Sequence, residues 1–314
     1  MKVAFFGECM VELSGEPLRR TFGGDTLNTA LYLARLGRNR GIDVSYATGL
    51  GEDKLSVEMK RAWNDEYIDT SLVETVSDKQ PGLYLVETDA NGERTFLYWR
   101  NDSAAKYYFD NVVSKLEVAL AANQHDALYL SGISLAILNN SARERTLTMA
   151  KHHHDSGKKV IFDNNFRPQL WSSSDARQWY EKLLPYVDIA LLTEDDDKEI
   201  WGTQESIESR CERFEIPEVV IKRGSEPCKV ITRENNKIHT HFVTASKVAN
   251  VIDTCAAGDS FAAGYLSARL SGQSCELSAE FAHSVAAIVI QHPGAIVPLG
   301  AMDHLLGRGQ HVVN

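Results

Sequence analysis

Residues 251–270, VIDTCAAGDSFAAGYLSARL, combine a loop of small residues with the start of a helix. The tripeptide Ala-Ala-Gly lies between two carboxylates, Asp253 and Asp259. From Ser260 onward, apolar residues recur at near-helical spacing, which predicts a helix over 260–271. Small residues allow a ligand to approach the backbone closely. The helix therefore begins at a loop whose backbone is open to a ligand.

The N–H groups of Ala256, Ala257 and Gly258 are suited to an anion. Free N–H groups at a helix start, aided by the helix dipole, favour a phosphate or a developing oxyanion. Asp259 cannot itself hold a phosphate, but it can accept a proton from a hydroxyl that attacks one. This combination predicts a phosphotransferase with Asp259 as the general base. The alternative is structural, with Asp259 as an N-cap and the small residues as helix packing.

The composition is typical of a soluble globular protein. Of 314 residues, 43% are hydrophobic and 24% charged, and 33 basic against 43 acidic side chains leave a net charge of -10. An acidic total disfavours DNA, RNA and anionic membranes, since sites for polyanions are basic. The five cysteines show no CxxC pair and no Cys/His spacing, so neither a disulfide framework nor a zinc site is predicted. Because no signal-peptide pattern is present, a reduced, cytoplasmic protein is expected.

Short β-type runs alternate with helical patterns along most of the chain. This alternation predicts an α/β fold built from βαβ units. The predicted strands are 2–6, 44–48, 127–131, 159–162, 189–193 and 219–222. The predicted helices are 27–36, 55–66, 142–156, 175–186, 260–271 and 278–291. At the end of the third helix, 152–154 are three histidines, predicted to be solvated because consecutive helical residues point in different directions.

Two further segments depart from the plain βαβ pattern. Residues 82–99 place GLYLVET and RTFLYWR around an Asn-Gly pair, which predicts an antiparallel hairpin with its turn at 91–92. At 22–30, FGGDTLNTA, a Gly-Gly turn opens a helix and exposes backbone to a ligand. Asp25 and Asn28 in that segment offer groups suited to sugar hydroxyls.

The string DTCAAGD at 253–259 resembles the D-T-x-[GA]-A-G-D signature of the ribokinase-like (PfkB) carbohydrate kinases, and 22–30 resembles their sugar-binding G-G-x-x-x-N-x-A segment. The similarity extends over most of the chain. It implies a three-layer α/β/α fold with a small β-sheet lid, formed by about 11–22 and 82–100, within a single domain spanning 1–314. It also implies phosphorylation of a small sugar by ATP with Mg²⁺, and self-association through the lid.

Longer strings indicate the branch of the family. GECMVELS, PGLYLVETDANGERTFLYWRN and KVIFDNNFRPQLW are closest to bacterial kinases that phosphorylate the 6-hydroxyl of a 2-keto-3-deoxy sugar acid in Entner–Doudoroff and hexuronate catabolism. Such a substrate carries a carboxylate that neutral sugars lack, so its kinase needs a cation. Arg100 and Arg167 are the candidates, since a guanidinium group binds carboxylates bidentately.

The resemblance assigns the remaining acceptor residues. Tyr98 and Arg100, which alternate onto one face of a lid strand, hold the carboxylate end of the substrate, and Tyr84 lines the lid. Arg167, at the end of a predicted core strand, bridges the substrate and the transferring phosphoryl group. The glycine segment supplies the hydroxyl contacts, from Gly23, Gly24, Asp25 and Asn28.

The nucleotide is expected on the other side of the 256–259 loop. The chain has neither a Walker A motif nor a GxGxxG loop, which excludes P-loop and protein-kinase mechanisms. By resemblance, ATP contacts Asn165, Lys222, Arg223, Gly224, Ser225, Ala256, Ala257 and Gly258.

For Mg²⁺, many relatives carry an N-x-x-E motif where this chain has Thr193-Glu194-Asp195-Asp196. Asp196 can still reach the ion through water, and which acidic residue of 194–197 does so is open. An acidic first helical turn, favoured by the helix dipole, explains the run equally well.

Two other functions stay open at this point. With Arg100 merely on the surface, the chain would phosphorylate a neutral sugar, as a fructokinase or a ribokinase-type enzyme. With catalysis lost, it would be a sugar sensor. An intact Asp259 beside an anion site argues against the sensor.

Overall fold

Short apolar runs form the strands of a central sheet, and residues 1–88, 94–234 and 237–308 are described by the computed structural model. In chain order, the strands are β1 (Lys2–Phe6), β2 (Met10–Ser14), β3 (Arg19–Gly23), β4 (Asp43–Ala47), β5 (Gly49–Leu50), β6 (Ile68–Asp69), β7 (Glu74–Thr75), β8 (Leu83–Thr88), β9 (Arg94–Trp99), β10 (Ala127–Ser131), β11 (Lys159–Asp163), β12 (Ile189–Thr193), β13 (Glu218–Lys222), β14 (Cys228–Glu234) and β15 (Lys237–Val243).

The helices lie mainly between the strands of this sheet. They are α1 (Asp25–Gly37), α2 (Lys54–Asp65), α3 (Lys115–Ala121), α4 (Gly132–Ala136), α5 (Asn140–Asp155), α6 (Ser173–Leu183), α7 (Glu194–Trp201), α8 (Ile207–Arg213), α9 (Ala257–Arg269), α10 (Cys275–Val289) and α11 (Asp303–Arg308). In the described part of the chain, none of them combines the length and the apolar run that crossing a bilayer requires.

The main sheet has nine strands within the described residues, in the order β15-β14-β13-β12-β11-β10-β1-β4-β6. From β13 to β6 all neighbouring strands are parallel, and β14 and β15 extend the sheet as antiparallel strands. The predicted α/β class and all six predicted core strands are confirmed. The β14–β15 hairpin was not predicted, because its polar outer strand carries no clear burial pattern.

Both faces of the sheet are covered, which makes the fold three-layered. Alternate residues of β1 point to opposite faces: Val3 and Phe5 belong to the core on the α1, α9 and α10 side. Ala4 and Phe6 belong to the core on the α5 and α6 side. Strands that are buried on both faces read as continuous apolar runs, which is why they were recognisable in the sequence.

A separate four-stranded sheet, in the order β3-β2-β8-β9, corresponds to the predicted lid. β8 and β9 pair antiparallel with Leu83 opposite Trp99, and β2 pairs parallel with β8. The predicted Asn-Gly turn at 91–92 lies outside the described residues. The division into one domain spanning 1–314 stays a prediction.

The start of α9 differs from the prediction. The helix begins at Ala257, three residues earlier than expected, and Ala256 is its N-cap. Asp259 therefore lies inside the first turn, and the N-cap alternative for this residue is wrong. Sequence periodicity missed the extra turn because Ala and Gly carry no amphipathic signal.

The histidines at the end of α5 are not all solvated. His153 is fully buried, and neither ring nitrogen has a hydrogen-bond partner. Burial is the main cause that lowers the pKa of His153 to about 4. The prediction of solvated histidines is wrong at this position, because the middle residue of the run faces the sheet.

This buried histidine predicts acid sensitivity of the fold. The folded pKa lies below the unfolded value near 6.5, so the unfolded state binds more protons between about pH 6.5 and 4, and the free energy of unfolding falls as the pH falls through that window. We expect His153→Leu to flatten the decline by close to one proton in urea unfolding measured from pH 7 to 4. The exposed His152→Leu is the control. If the free energy of unfolding depends on pH with the same slope in His153→Leu and in the wild type, His153 is not the source of the acid sensitivity.

Candidate active site

The site lies at one edge of the main sheet, where the carboxyl ends of β1, β10, β11, β12 and β13 meet. These strands are parallel, so the loops that follow them lie side by side. The first turns of α1 and α9 are joined there by a 2.8 Å hydrogen bond from Asn28 Nδ2 to Asp259 Oδ2. Two motifs that are 231 residues apart in the chain thus form one site.

The Asp259 carboxyl is held in an environment that disfavours its charged form. Burial, together with the charges of Asp25 and Asp163, raises the pKa of Asp259 to about 7, while the Asn28 amide and the Lys222 charge oppose the shift. A carboxyl with this pKa can accept and release a proton near neutral pH. The geometry thus supports the predicted role of a general base.

The first turn of α9 presents backbone N–H groups to the same edge. The Ala257 N–H donates to the Thr254 carbonyl at 3.1 Å. The N–H groups of Gly258 and Asp259 have no preceding helical carbonyl to bind, because they belong to the first turn. Of the three predicted anion donors, Ala257 is engaged by the loop, and the Asp259 N–H joins the Gly258 N–H as a candidate; the assignment of this turn to an anion stays a prediction.

Lys222 adds a positive charge at this turn. Its ammonium group is buried and lies 2.6 Å from Asp163 Oδ2. A Cβ placed on Gly258 would lie 3.7 Å from Lys222 Nζ, so the ammonium group faces the α9 turn. An ammonium has three donors, so Asp163 can orient it while other donors stay available to an anion.

The acidic run at the start of α7 resolves into different roles. Asp196 Oδ2 accepts the Phe166 N–H at 3.1 Å and lies 3.8 Å from Arg167 Nη1. Burial is the main cause that raises the pKa of the Asp196 carboxyl, and the nearby Arg167 opposes the shift. Asp196 thus lies at the strand-end edge, beside a predicted catalytic arginine.

Of the other three acidic residues of the run, Glu194 lies 3.4 Å from Arg223 Nε, beside the residues predicted to bind ATP, and the other two point elsewhere. Asp197 pairs with Arg210, and both side chains are buried. Glu194 lies 3.1 Å from Lys198 Nζ, and the Asp195 side chain is 89% exposed. Asp196 and Glu194 therefore both lie beside predicted site residues, and the assignment of Asp196 to Mg²⁺ stays a prediction.

On the α1 side, the side chains of Asp25, Asn28 and Asn165 lie close together, and some of their polar atoms have no hydrogen-bond partner. Asn165 Nδ2 donates to Asp25 Oδ2 at 2.7 Å. Asp25 Oδ1 and Asn28 Oδ1 are buried and have no partner, a condition that buried polar atoms rarely keep unless a ligand or water satisfies them. The Asn165 amide thus lies on the α1 side, and its assignment to ATP by resemblance stays a prediction.

The two glycines of the 22–30 segment are required by close approaches of neighbouring groups. A Cβ on Gly24 would lie 2.3 Å from the Glu8 carbonyl oxygen, and one on Gly23 would lie 2.5 Å from Tyr84 Oη. Both distances are far below a normal contact. The Gly-Gly turn thus lets the lid and the end of β1 come close to α1.

Tyr84 and Tyr98 lie on neighbouring lid strands, with ring centroids 5.9 Å apart. The Tyr84 hydroxyl donates to Glu12, whereas Tyr98 is 45% exposed. Tyr98 also stacks on Phe96. The lid therefore offers a partly exposed aromatic surface on which Tyr98 is available for contact.

The predicted carboxylate-binding Arg100 is buried and forms an ion pair with Glu8, whose side chain is fully buried. Arg100 Nε and Glu8 Oε1 have no hydrogen-bond partner. Arg100 follows the last residue of β9, so it extends from the lid toward the end of β1. Sequence reasoning missed Glu8, although GECMVELS was among the quoted strings, because one acidic residue in a loop carries no signal of its own.

Arg167 is the more accessible of the two arginines. Its side chain is 47% exposed, and Nη1 donates to the Phe166 carbonyl at 2.7 Å. Burial raises the pKa values of Asp25 and Tyr98, and the nearby Arg167 charge partly opposes both shifts. It thus lies between the α1 side, the lid and Asp196.

A cavity of about 610 Å³ adjoins the α9 turn on the side away from the lid. Its walls include the predicted Lys222, Arg223, Gly224 and Ser225 together with an apolar surface from Val248, Val251, Phe261, Ala286, Ala287 and Ile290. A largely apolar pocket with a cationic rim suits a nucleotide base and its phosphates. Sequence reasoning missed the α10 wall and 245–251, because neither carries a recognisable motif.

This fold, with an anion-binding helix start and an adjoining pocket, defines a small-molecule phosphotransferase. Residues 2–301 match the model of the pfkB family carbohydrate kinases, and the chain belongs to this family. It is 47% identical over 306 residues to a 2-dehydro-3-deoxygluconokinase of Escherichia coli, with 96% of this chain and 98% of that protein covered. A 2-dehydro-3-deoxygluconokinase of Haemophilus influenzae is 41% identical, with 97% and 98% covered.

Among solved structures, the fructokinase of Xylella fastidiosa with bound ATP superposes with a TM-score of 0.80 at 20% identity, covering 99% of each chain. At this identity the likeness shows the fold alone. It confirms the predicted three-layer fold.

The Asn28–Asp259 hydrogen bond predicts a measurable effect on titration. The amide favours the charged carboxylate, so Asn28→Ala should raise the pKa of Asp259 above about 7, by roughly one unit for the loss of a hydrogen bond to a charged group. The measurement is a ¹³C NMR titration of Asp-labelled protein. Thr29→Val is the control, because it removes a hydrogen bond in the same turn of α1, from the Thr29 hydroxyl to the backbone carbonyl of Asp25, and leaves the bond to Asp259 intact. An unchanged Asp259 titration in Asn28→Ala would contradict the role of this bond.

Proposed function

We propose that this chain is a 2-dehydro-3-deoxygluconokinase, which transfers the γ-phosphoryl group of ATP to the 6-hydroxyl of 2-keto-3-deoxy-D-gluconate. The product is 2-keto-3-deoxy-6-phosphogluconate. The observation that carries the proposal is the Asp259 carboxyl, with its pKa raised to about 7, at the start of a helix that lies between the polar groups of α1 and a cavity of about 610 Å³. The near-full-length identity to kinases of that name supports the substrate.

Asp259 accepts the proton of the 6-hydroxyl as its oxygen attacks the γ-phosphorus. The Asn28 amide orients the Asp259 carboxylate, and the bond at 2.8 Å leaves the second carboxylate oxygen for the substrate. Burial, with the charges of Asp25 and Asp163, makes proton uptake by Asp259 favourable near pH 7. Most of the remaining rate acceleration comes from positioning and electrostatics.

The negative charge of the transferring group is stabilised from two directions. The N–H groups of Gly258 and Asp259 and the Lys222 ammonium act from the nucleotide side, and Arg167 acts from the acceptor side. Such groups are arranged before the reaction and need no reorganisation.

The acidic residues fit the Mg²⁺ that the family implies. Asp196 offers a partly buried carboxylate at the strand-end edge, and hard oxygen ligands are what this ion prefers. Asp196 would hold the ion through water, and the bound ion would neutralise phosphate charge. Arg167, 3.8 Å from Asp196, keeps this carboxylate directed toward the site.

The substrate carboxylate is bound by Arg100 and Tyr98. The single ion pair with Glu8 orients Arg100 while its Nε stays without a partner. The same ion pair favours the alternative of a neutral sugar, because Glu8 already balances the Arg100 charge. A coupled ADP-release assay with Mg-ATP separates the two: we expect turnover of 2-keto-3-deoxygluconate, whereas turnover of fructose or ribose alone would overturn the proposed substrate.

Asp259→Asn should lower kcat by roughly 10²- to 10⁴-fold, the usual contribution of a general base, while ATP and the keto-acid still bind in calorimetry. In the wild type, kcat/KM should fall about tenfold per pH unit below about pH 7, because the base must be unprotonated. The exposed Asp195→Asn is the control and should keep wild-type turnover. Retained turnover in Asp259→Asn would show that another group takes the proton.

Arg100→Met should raise the KM for the keto-acid roughly tenfold or more, since it removes a charge-assisted contact. Because this change leaves Glu8 buried and unpaired, the double variant Glu8→Gln/Arg100→Met is measured beside it. Arg20→Met, on the lid strand β3 and paired at the surface with Glu58, is the matched control. An unchanged KM in both Arg100 variants would show that Arg100 does not bind the substrate carboxylate.

A further inference from the structure

Away from the active site, three metal-binding side chains meet where β15 packs against the start of α10. They are His241 of β15 and Cys275 and Glu276 of α10. One ligand atom from each residue lies within 4.8 Å of the other two. Among the described residues, this is the one group of three such side chains close enough to share a metal ion. The cluster was invisible in the sequence, because His241 is 34 positions from Cys275 and no ligand spacing links them.

The distances between the donor atoms are close to those of a metal site. His241 Nδ1 lies 2.8 Å from Glu276 Oε1, and Cys275 Sγ lies 3.2 Å from Glu276 Oε2. Around a tetrahedral zinc ion, with bonds of about 2.0 Å to nitrogen or oxygen and about 2.3 Å to sulfur, the corresponding separations are about 3.3 and 3.5 Å. The two contacts use different Glu276 oxygens, and the ligand atoms of His241 and Cys275 lie within 4.8 Å of each other, so an ion would enter among the three groups once the half-exposed Glu276 side chain turns one oxygen toward both.

We propose that His241, Cys275 and Glu276 bind a divalent transition metal of the zinc class. Imidazole, thiolate and carboxylate together match the borderline-soft preference of Zn²⁺. Mg²⁺ is excluded as the occupant, because it takes oxygen ligands in octahedral geometry. Three protein ligands leave one tetrahedral position for water, and the partial exposure of His241 and Glu276 provides the path of entry.

The surroundings hold the three ligands in place before any metal binds. Ser274 caps α10 by accepting the Leu277 N–H at 3.3 Å, which fixes the helical turn that carries Cys275 and Glu276. His283, further along α10, lies 3.1 Å from the Val243 carbonyl at the end of β15. The strand and the helix are thus already aligned on both sides of the cluster.

Metal binding must displace the proton of the Cys275 thiol. That thiol lies 3.2 Å from Glu276 Oε2 and donates to it in the absence of a metal. The metal–sulfur bond replaces the S–H bond, and the proton is released to solvent, so affinity should increase with pH. The bound ion would then join β15 to α10 and stabilise the folded chain by mass action.

The test uses Co²⁺ as a spectroscopic probe and Zn²⁺ as a stabilising ligand on the full chain. Binding of Co²⁺ at this site should produce a thiolate-to-metal charge-transfer band, and Zn²⁺ should raise the melting temperature, reversibly with a chelator. Cys275→Ser should abolish the band. His241→Ala and Glu276→Gln should weaken binding roughly tenfold or more, at least the loss seen when supporting groups of metal ligands are removed.

Two controls separate this site from other binding. Cys255, the exposed cysteine in the active-site loop, is the other thiol that Co²⁺ could reach. If the band comes from Cys275, Cys255→Ser should keep it. His239→Ala, on an exposed residue of the same strand, should keep wild-type affinity. Melting of each variant without metal reports whether it folds. A band that survives Cys275→Ser, its absence in the wild type, or Zn²⁺ stabilisation equal in wild type and His241→Ala would overturn the proposal.

Discussion

The hydrogen bond between Asn28 and Asp259 joins the starts of two helices that pack side by side over the sheet. It places Asp259, the proposed base, between the proposed sugar side, formed by α1 and the lid, and the proposed nucleotide side, formed by α9, α10 and the end of β13. Because the helix starts are fixed by parallel strands with a common direction, the donors and acceptors arrive at the edge already oriented. The Gly-Gly turn at 23–24 is a condition of this arrangement, since a side chain at Gly24 would collide with the Glu8 carbonyl oxygen and one at Gly23 would meet the Tyr84 hydroxyl.

Electrostatics divide the site although the whole chain is acidic. Burial is the main cause that raises the pKa of Asp259, the charges of Asp25 and Asp163 add to it, and Lys222 partly offsets them. The two cationic groups proposed to face the phosphates each lie beside a carboxylate: Lys222 beside Asp163, and Arg167 beside Asp196. A net charge of -10 is therefore no obstacle to binding an anionic nucleotide, because the local field at the strand ends decides the binding.

Local sequence patterns predicted the frame of the molecule closely. The core strands were recognisable because both of their faces are buried, and the lid hairpin because it breaks the alternation. Features without a local signature were missed or misjudged. Glu8 became significant only through its contact with Arg100, and His153 differs from its neighbours only in the face of α5 that it occupies.

The sequence by itself determined the βαβ order, the two glycine motifs and Asp259 as the candidate base, since these depend on backbone conformation and on residues adjacent in the chain. Tertiary structure decided which partners these residues meet. It directed Asp196 to the site and Asp197 to Arg210, turned the Asn165 amide toward Asp25, and brought His241 beside Cys275. The physical reason is that a side chain's direction along a helix or strand has a consequence only once another element packs against that face, and the packing partner can lie hundreds of residues away.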